Sequence, residues 1–71
     1  MEQWLTVEAD WSARVWPREA DMPPVYRHMA TFRHRGHTLH VLRHALIPGP
    51  DVRIVAEMRD VFRSEVDRVT D

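Results

Sequence analysis

The chain has 71 residues, no cysteine, and ten basic residues, all arginine, against eleven acidic ones, for a formal net charge of −1 at pH 7. This length predicts one domain with a thin core, and the lack of cysteine excludes disulfides and thiolate metal sites. The acid-containing first twenty residues hold no long apolar run, so we expect no signal peptide, no membrane span, no membrane partner and a cytoplasmic location.

Positive charge is concentrated in the middle of the chain. Residues 25–47, here called the basic segment, hold four arginines, all five histidines and no acidic residue, for a formal charge of +4. The flanks are acidic, with five acids against two arginines before it and six acids against four arginines after it. Because a free imidazole titrates near about 6.5, the basic segment gains further charge on mild acidification.

The first predicted element is a strand region over residues 3–16. From Leu5 to Val15 every odd position is apolar and the positions between are polar or charged. This alternation is typical of a half-buried strand, whereas a helical stripe leaves three of the apolar residues off its face. The pattern predicts either one long or bent strand, or a hairpin with a three-residue turn at Ala9 to Trp11 that keeps Leu5 opposite Val15.

The next stretch, residues 17–24, begins with Pro17 and ends with Pro23 and Pro24. Proline fixes the backbone angle φ and cannot donate a ladder hydrogen bond. A loop is therefore predicted between the strand region and the basic segment.

The basic segment predicts a hairpin over residues 25–47 with a two-residue turn at Arg35 and Gly36. Glycine suits this turn because it adopts positive φ without cost, whereas a continuous helix would carry Gly36 inside its apolar stripe at a cost of about 1 kcal/mol. The hairpin register forms three apolar pairs on one face: Phe32–Leu39, Ala30–Val41 and Tyr26–Ala45. The opposite, outward face then carries Arg27, Thr31, Arg33, Thr38, His40 and His44.

The last predicted element is a helix from about residue 50 to 69. Pro50 suits a first helical position, and Asp51 suits the positive end of the helix dipole. The apolar residues that recur at spacings of three and four are Val52, Val55, Met58, Phe62, Val66 and Val69.

Together these elements predict an α+β fold. We expect a small antiparallel sheet of three to four strands with one C-terminal α-helix packed on one face, forming a single domain over residues 1–71. The expected core consists of Trp11, Phe32, Leu39, Val41, Val55, Phe62 and Val66.

The histidine spacing in the basic segment raises the question of a metal site. Zinc requires three or four ligand atoms converging at about 2.0 to 2.1 Å. The hairpin places His34 and His37 on one face and His40 and His44 on the other, so we predict neither a metal site nor a cofactor. A helix would gather three of these histidines on one stripe and would favour a metal site instead.

The run "LRHALIPGPDVRIVAEMRDVF" is a strand ending in basic residues, a proline-glycine turn and a helix. It is similar to the last third of HicA-type messenger-RNA-cleaving toxins, and the resemblance implies a ribonuclease. That family carries its catalytic histidine in a Gly-Ser-His element, which this sequence lacks; His37 is the histidine here that follows a glycine. The likeness covers about twenty residues, and without a cysteine nucleophile or a serine-centred elbow we predict that the protein is not an enzyme.

The charge pattern favours a binding function. We predict a small non-enzymatic regulatory module, such as an accessory or phage-encoded protein, whose Arg/His-rich hairpin face binds an acidic protein surface or another copy as a homo-oligomer. Nucleic-acid binding through arginine–phosphate contacts is the alternative, disfavoured because the whole chain is not basic. Two tryptophans on the polar side of their strand are candidate anchors. The candidate binding residues are Trp4, Trp16, Arg27, Arg33, Arg35, His40, Arg43 and His44.

Overall fold

The computed structural model describes residues 2–70 of the chain, without the side chains of Val69 and Thr70. Its elements in chain order are β1 (Glu2–Val7), β2 (Ala13–Trp16), a 3₁₀ turn (Glu19–Asp21), β3 (Tyr26–His34), β4 (His37–His44) and α1 (Asp51–Thr70). The four strands form one open sheet in the order β2-β1-β4-β3. The predicted α+β fold with one C-terminal helix is confirmed.

The sheet is mixed rather than wholly antiparallel. Strands β1 and β2 pair antiparallel, as do β3 and β4, but the two central strands β1 and β4 run parallel. The connection after β2 carries the chain to the far edge of the sheet, and β4 then returns into the middle beside β1. The two hairpins are thereby joined into one sheet, with β2 and β3 as its edges.

The first hairpin has the predicted three-residue turn, and Leu5 lies opposite Val15. The amide of Trp11 donates to the Glu8 carbonyl at 2.9 Å, and Trp11 adopts a left-handed φ of 66°. The Asp10 carboxylate accepts hydrogen bonds from the backbone and hydroxyl of Ser12, which holds its pKa below the usual value. Because Trp11 lies in this turn it is 42% exposed, so its assignment to the core is wrong.

The second hairpin turns at Arg35 and Gly36, whose φ values of 51° and 80° are both positive, as a type I′ turn requires. The predicted Phe32–Leu39 and Ala30–Val41 pairs are confirmed. Between His28 and Ala30 the register shifts by one residue, so that Tyr26 faces His44 rather than Ala45. This β-bulge reverses the alternation of the first part of β3.

The helix α1 begins directly after Pro50, whose carbonyl accepts hydrogen bonds from the amides of Arg53 and Ile54. Its buried stripe is Ile54, Met58, Phe62 and Val66, whereas Val52 is 76% exposed and Val55 is half-buried. The predicted helix is confirmed, and its predicted stripe is right at Met58, Phe62 and Val66, whereas near the start of the helix Ile54 is buried in place of Val52. Within residues 2–70, no helix combines the length and the apolar character needed to cross a membrane.

The core lies between α1 and one face of the sheet. Of the predicted core, Leu39, Val41, Phe62 and Val66 are buried, and the remaining buried apolar residues are Leu5, Val7, Ile47, Ile54 and Met58. Fully burying such a side chain contributes about 1.5 to 3 kcal/mol. Phe32 is 40% exposed because it lies on edge strand β3, and its assignment to the core is wrong.

One charged side chain, Arg43, is buried at the end of β4, with 4% of its surface exposed. Its guanidinium donates to the Gly49 carbonyl at 2.6 Å, to the Asp51 carboxylate at 2.9 Å and to the Ile47 carbonyl. The Ile47 and Gly49 carbonyls belong to the segment between β4 and α1, which is not part of a strand or helix. Arg43 therefore fixes this segment and the first residue of α1 to the sheet.

Replacing Arg43 with methionine is expected to lower the free energy of unfolding by about 2 to 4 kcal/mol. The substitution preserves apolar volume but leaves the Ile47 and Gly49 carbonyls without this donor and the Asp51 carboxylate with Arg27 alone. The measurement is urea unfolding followed by circular dichroism. Arg53→Met, which removes an exposed arginine of α1, is the matched control and is expected to change stability by less than about 0.5 kcal/mol. Equal effects of the two substitutions would contradict this role for Arg43.

Candidate binding surface on the open sheet face

Two of the predicted binding arginines lie against the start of the helix. The bulge brings Arg27 into register with Arg43, and both donate to the Asp51 carboxylate, Arg27 at 2.8 Å and Arg43 at 2.9 Å. The hydrogen bond from Arg43 is the main reason that the pKa of Asp51 lies below its usual value. The expected outward position of Arg27 is therefore wrong.

A second carboxylate, Asp67, engages the turn of the β3–β4 hairpin from the last part of the helix. Its Oδ1 lies 3.0 Å from His34 Nε2 and 3.6 Å from the Arg35 guanidinium. The hydrogen bond with His34 is the main reason that the pKa of Asp67 lies below its usual value. Asp51 and Asp67 thus attach the two ends of α1 to the basic segment, and much of its charge is compensated within the molecule.

The other face of the sheet carries a layer of rings that α1 does not cover, and the rings contact one another in two groups of three. All four strands contribute to this ring layer, which consists of Trp4, Trp16, Tyr26, His28, His40 and His44. The ring contacts are Trp4–His40 stacked at 5.3 Å with 21° between planes, Tyr26–His44 edge-on at 5.8 Å, Trp16–Tyr26 at 6.4 Å and His28–His40 at 6.4 Å. Four of the predicted binding residues, Trp4, Trp16, His40 and His44, therefore lie together.

The polar atoms of Trp16 and Tyr26 form hydrogen bonds with Thr6 and Glu8 on the same face. The Trp16 indole N–H donates to the Thr6 hydroxyl at 2.9 Å, and the Thr6 hydroxyl lies 3.2 Å from the Glu8 carboxylate. The Tyr26 hydroxyl donates to the same carboxylate at 2.6 Å, and burial followed by this hydrogen bond raises the pKa of Tyr26. The tryptophan and tyrosine rings are therefore held in place, with their polar groups satisfied internally and their carbon edges available for contact.

Formal charge on this face is balanced at neutral pH. Glu2 and Glu8 contribute two negative charges, and Arg14 and Arg33 contribute two positive ones. The Arg14 guanidinium lies 4.3 Å from the centre of the Trp16 ring, a cation–π contact, and Glu2 lies 3.5 Å from His40. The surface is thus amphipathic rather than basic.

Sequence reasoning missed Tyr26 and His28 as members of the ring layer. It paired Tyr26 with an apolar residue on the helix side, because nothing in the sequence around Met29 signals a bulge. The bulge turns Tyr26 and His28 to the face that carries Trp4 and Trp16. No three His, Asp or Glu side chains within residues 2–70 are grouped as metal ligands would be.

Comparison with known proteins finds no matching family model, no matching curated protein and no matching solved structure. Functional inference therefore depends on the chemistry of the ring layer and of the rest of the surface.

Acidification is expected to destabilise the fold through Asp51 and Asp67. Their pKa values are lower in the folded chain than the ordinary carboxyl value of 3.8, so both are ionised to lower pH in the folded state than in the unfolded one. The stability that they supply is complete above that ordinary value and is lost as pH falls through the lower folded values. Urea midpoints measured between pH 7 and pH 2 test this expectation.

The matched pair of variants is Asp67→Asn and Asp60→Asn. The first removes the partner of His34, and the second removes an exposed carboxylate of the same helix. We expect Asp67→Asn to lower the midpoint at pH 7 and to flatten its fall below pH 4. The same pH profile for both variants would show that Asp67 does not couple the helix to the hairpin.

Proposed function

We propose that the protein is a small non-enzymatic binding module that associates with a second copy of itself through the open sheet face. The partner surface is the ring layer of the other copy, so that two sheets pack face to face with the helices outside. A cytoplasmic location remains part of this proposal, supported by the lack of cysteine.

The observation that carries the proposal is an uncovered sheet face that combines contacting rings with balanced charge. A two-fold interface joins a patch to itself, so the patch must be self-complementary in shape and charge. The face is self-complementary in charge, because its two glutamates, Glu2 and Glu8, can pair with Arg14 and Arg33 of the other copy. Tryptophan and tyrosine with satisfied polar groups are also typical of interface anchors.

The dimensions of the face set the expected strength of association. Four strands spaced about 4.8 Å apart and about 20 Å long give a flat area of roughly 400 Å² per copy. The two copies together bury roughly 800 Å², which is below the range of stable interfaces, so we expect a weak, exchanging dimer with a dissociation constant in the micromolar range. An exchangeable homodimer suits a regulatory module, whose association must respond to concentration.

Nucleic-acid binding through the same face is the second candidate. The stacked Trp4–His40 pair and the Arg14 guanidinium beside Trp16 are groups on which unpaired bases stack and phosphates bind. Against this function, Asp51 and Asp67 compensate Arg27, Arg35 and Arg43, and two carboxylates lie on the face itself. A gel shift with single-stranded DNA and RNA at about 50 mM salt separates the two functions, since phosphate contacts are strongest at low salt.

Sedimentation equilibrium at pH 7.5 is expected to show a monomer–dimer equilibrium for the wild-type chain. The Arg14→Glu substitution is expected to raise the dimer dissociation constant at least tenfold. That substitution gives both copies an excess of negative charge on the face without changing a buried residue. Arg53→Glu, on the exposed side of α1, makes the same change in net charge and is expected to leave the equilibrium unchanged. A wild-type chain that stays monomeric at 100 μM, or equal effects of the two variants, would refute the proposed dimer.

A further inference from the structure

A groove lies between the edge strand β3 and the helix α1, on the opposite side of the sheet from the ring layer. Its volume is about 190 Å³, and it opens to the surface. Five apolar residues line it: Phe32, Leu39, Val55, Phe62 and Val66. Phe32 is 40% exposed, so part of the apolar lining is accessible from the surface.

Arginines surround this apolar floor. Arg59 and Arg63 line the groove from the helix, and Arg33 lines it from the strand. Within residues 2–70, Arg33 and Arg59 form no ion pair, and Arg63 lies near Asp67 without reaching ion-pair distance. Like charges four residues apart destabilise a helix, so Arg59 and Arg63 repel each other, and the attraction of Arg63 to Asp67 offsets this only in part.

The backbone next to the groove is a free sheet edge. Strand β3 pairs with β4 on one side and is the last strand of the sheet on the other. After the bulge, residues 30–34 continue in regular register, so this part of the edge presents backbone donors and acceptors in the usual strand spacing. An extended chain that pairs here places alternate side chains towards α1, and therefore towards the groove.

We propose that this groove is a second binding site, which takes an extended acidic peptide segment of a partner protein. The peptide adds as a fifth strand beside residues 30–34, one apolar side chain fills the floor next to Phe32, and carboxylates two residues on either side pair with Arg59, Arg63 and Arg33. Charge complementarity selects this occupant, because three arginines around an apolar floor require an anionic ligand with an apolar centre. The groove lies on the opposite face from the proposed dimer, and Arg33 at the sheet edge is the one residue assigned to both surfaces.

The probe is a fluorescein-labelled seven-residue peptide with glutamate at its second and sixth positions, phenylalanine at its fourth and threonine elsewhere. In an extended strand this pattern presents the two carboxylates and the phenyl ring on one side. Fluorescence anisotropy at 150 mM salt is expected to give micromolar binding. Glutamine in place of both glutamates is expected to weaken binding by about tenfold or more, through loss of the charge-assisted contacts.

The protein variants are Arg59→Gln with Arg63→Gln, compared with Arg53→Gln with Arg68→Gln on the same helix. Both doubles remove two exposed arginines, but only the first pair lines the groove. We expect the first double to weaken binding about tenfold or more and the second to leave it unchanged. Amide shifts on titration are expected to concentrate at residues 30–34 and in α1 from Val55 to Val66.

Three results would overturn the proposal: no binding at 100 μM protein, equal loss of binding in both doubles, or amide shifts confined to the ring layer. Equal loss would show non-specific attraction to arginine, and shifts on the ring layer would assign the peptide to the other face. The Arg14→Glu variant separates the two surfaces, since it is expected to bind the peptide as the wild type does even when the dimer is lost.

Discussion

The structure depends on the buried guanidinium of Arg43. A buried charge is costly unless hydrogen bonds and an opposite charge compensate it, and here two carbonyls of the turn before α1 and the carboxylate of Asp51 do so. The same contacts define where the helix begins and how it approaches the sheet. In a chain whose core is only a few side chains deep, the helix direction would otherwise rest on the apolar stripe and on the more exposed contacts of Arg27 with Asp51 and of His34 with Asp67.

The contacts of Asp51 and Asp67 explain why a basic segment is followed by an acidic one in the sequence. The basic segment contains no acidic residue of its own, but Asp51 and Asp67 of the acidic C-terminal region contact it from the two ends of α1. The positive charges of the β3–β4 hairpin and the negative charges of α1 therefore hold these two elements together. What remains for partners is separated into two chemically different surfaces, a balanced layer of rings on one face and an arginine-bordered groove on the other.

Much of the fold followed from local patterns in the sequence. Turn chemistry predicted the β3–β4 hairpin and its Arg35-Gly36 reversal, which depend on residues close in the chain. Alternation left the β1–β2 hairpin, with its Leu5–Val15 pairing, as one of two alternatives beside a single long or bent strand. The parallel pairing of β1 with β4 depends on contacts distant in sequence, which no local pattern records. The helix boundaries and its buried residues Met58, Phe62 and Val66 were likewise local. The burial of Ile54 rather than Val52 near the start of the helix, beside the contact of Asp51 with Arg43, depends on tertiary structure.

The candidate site was accessible to sequence reasoning only in part. Trp4 and Trp16 stood out because they occupy the polar side of their strand, and His40 followed from the hairpin register. Tyr26 and His28 required the shift at Met29, and the burial of Arg43 required tertiary contacts. The groove was not foreseen at all, because it arises where the helix leaves an edge strand partly uncovered.

The bulge in β3 also limits how the molecule aggregates. An open edge of nine residues is a template on which further chains can add without end, as in fibrils. The bulge divides that template into two shorter stretches of different pleat, so no second copy of β3 matches it along its full length. Growth along the edge is thereby discouraged, while a short strand still finds five residues in register.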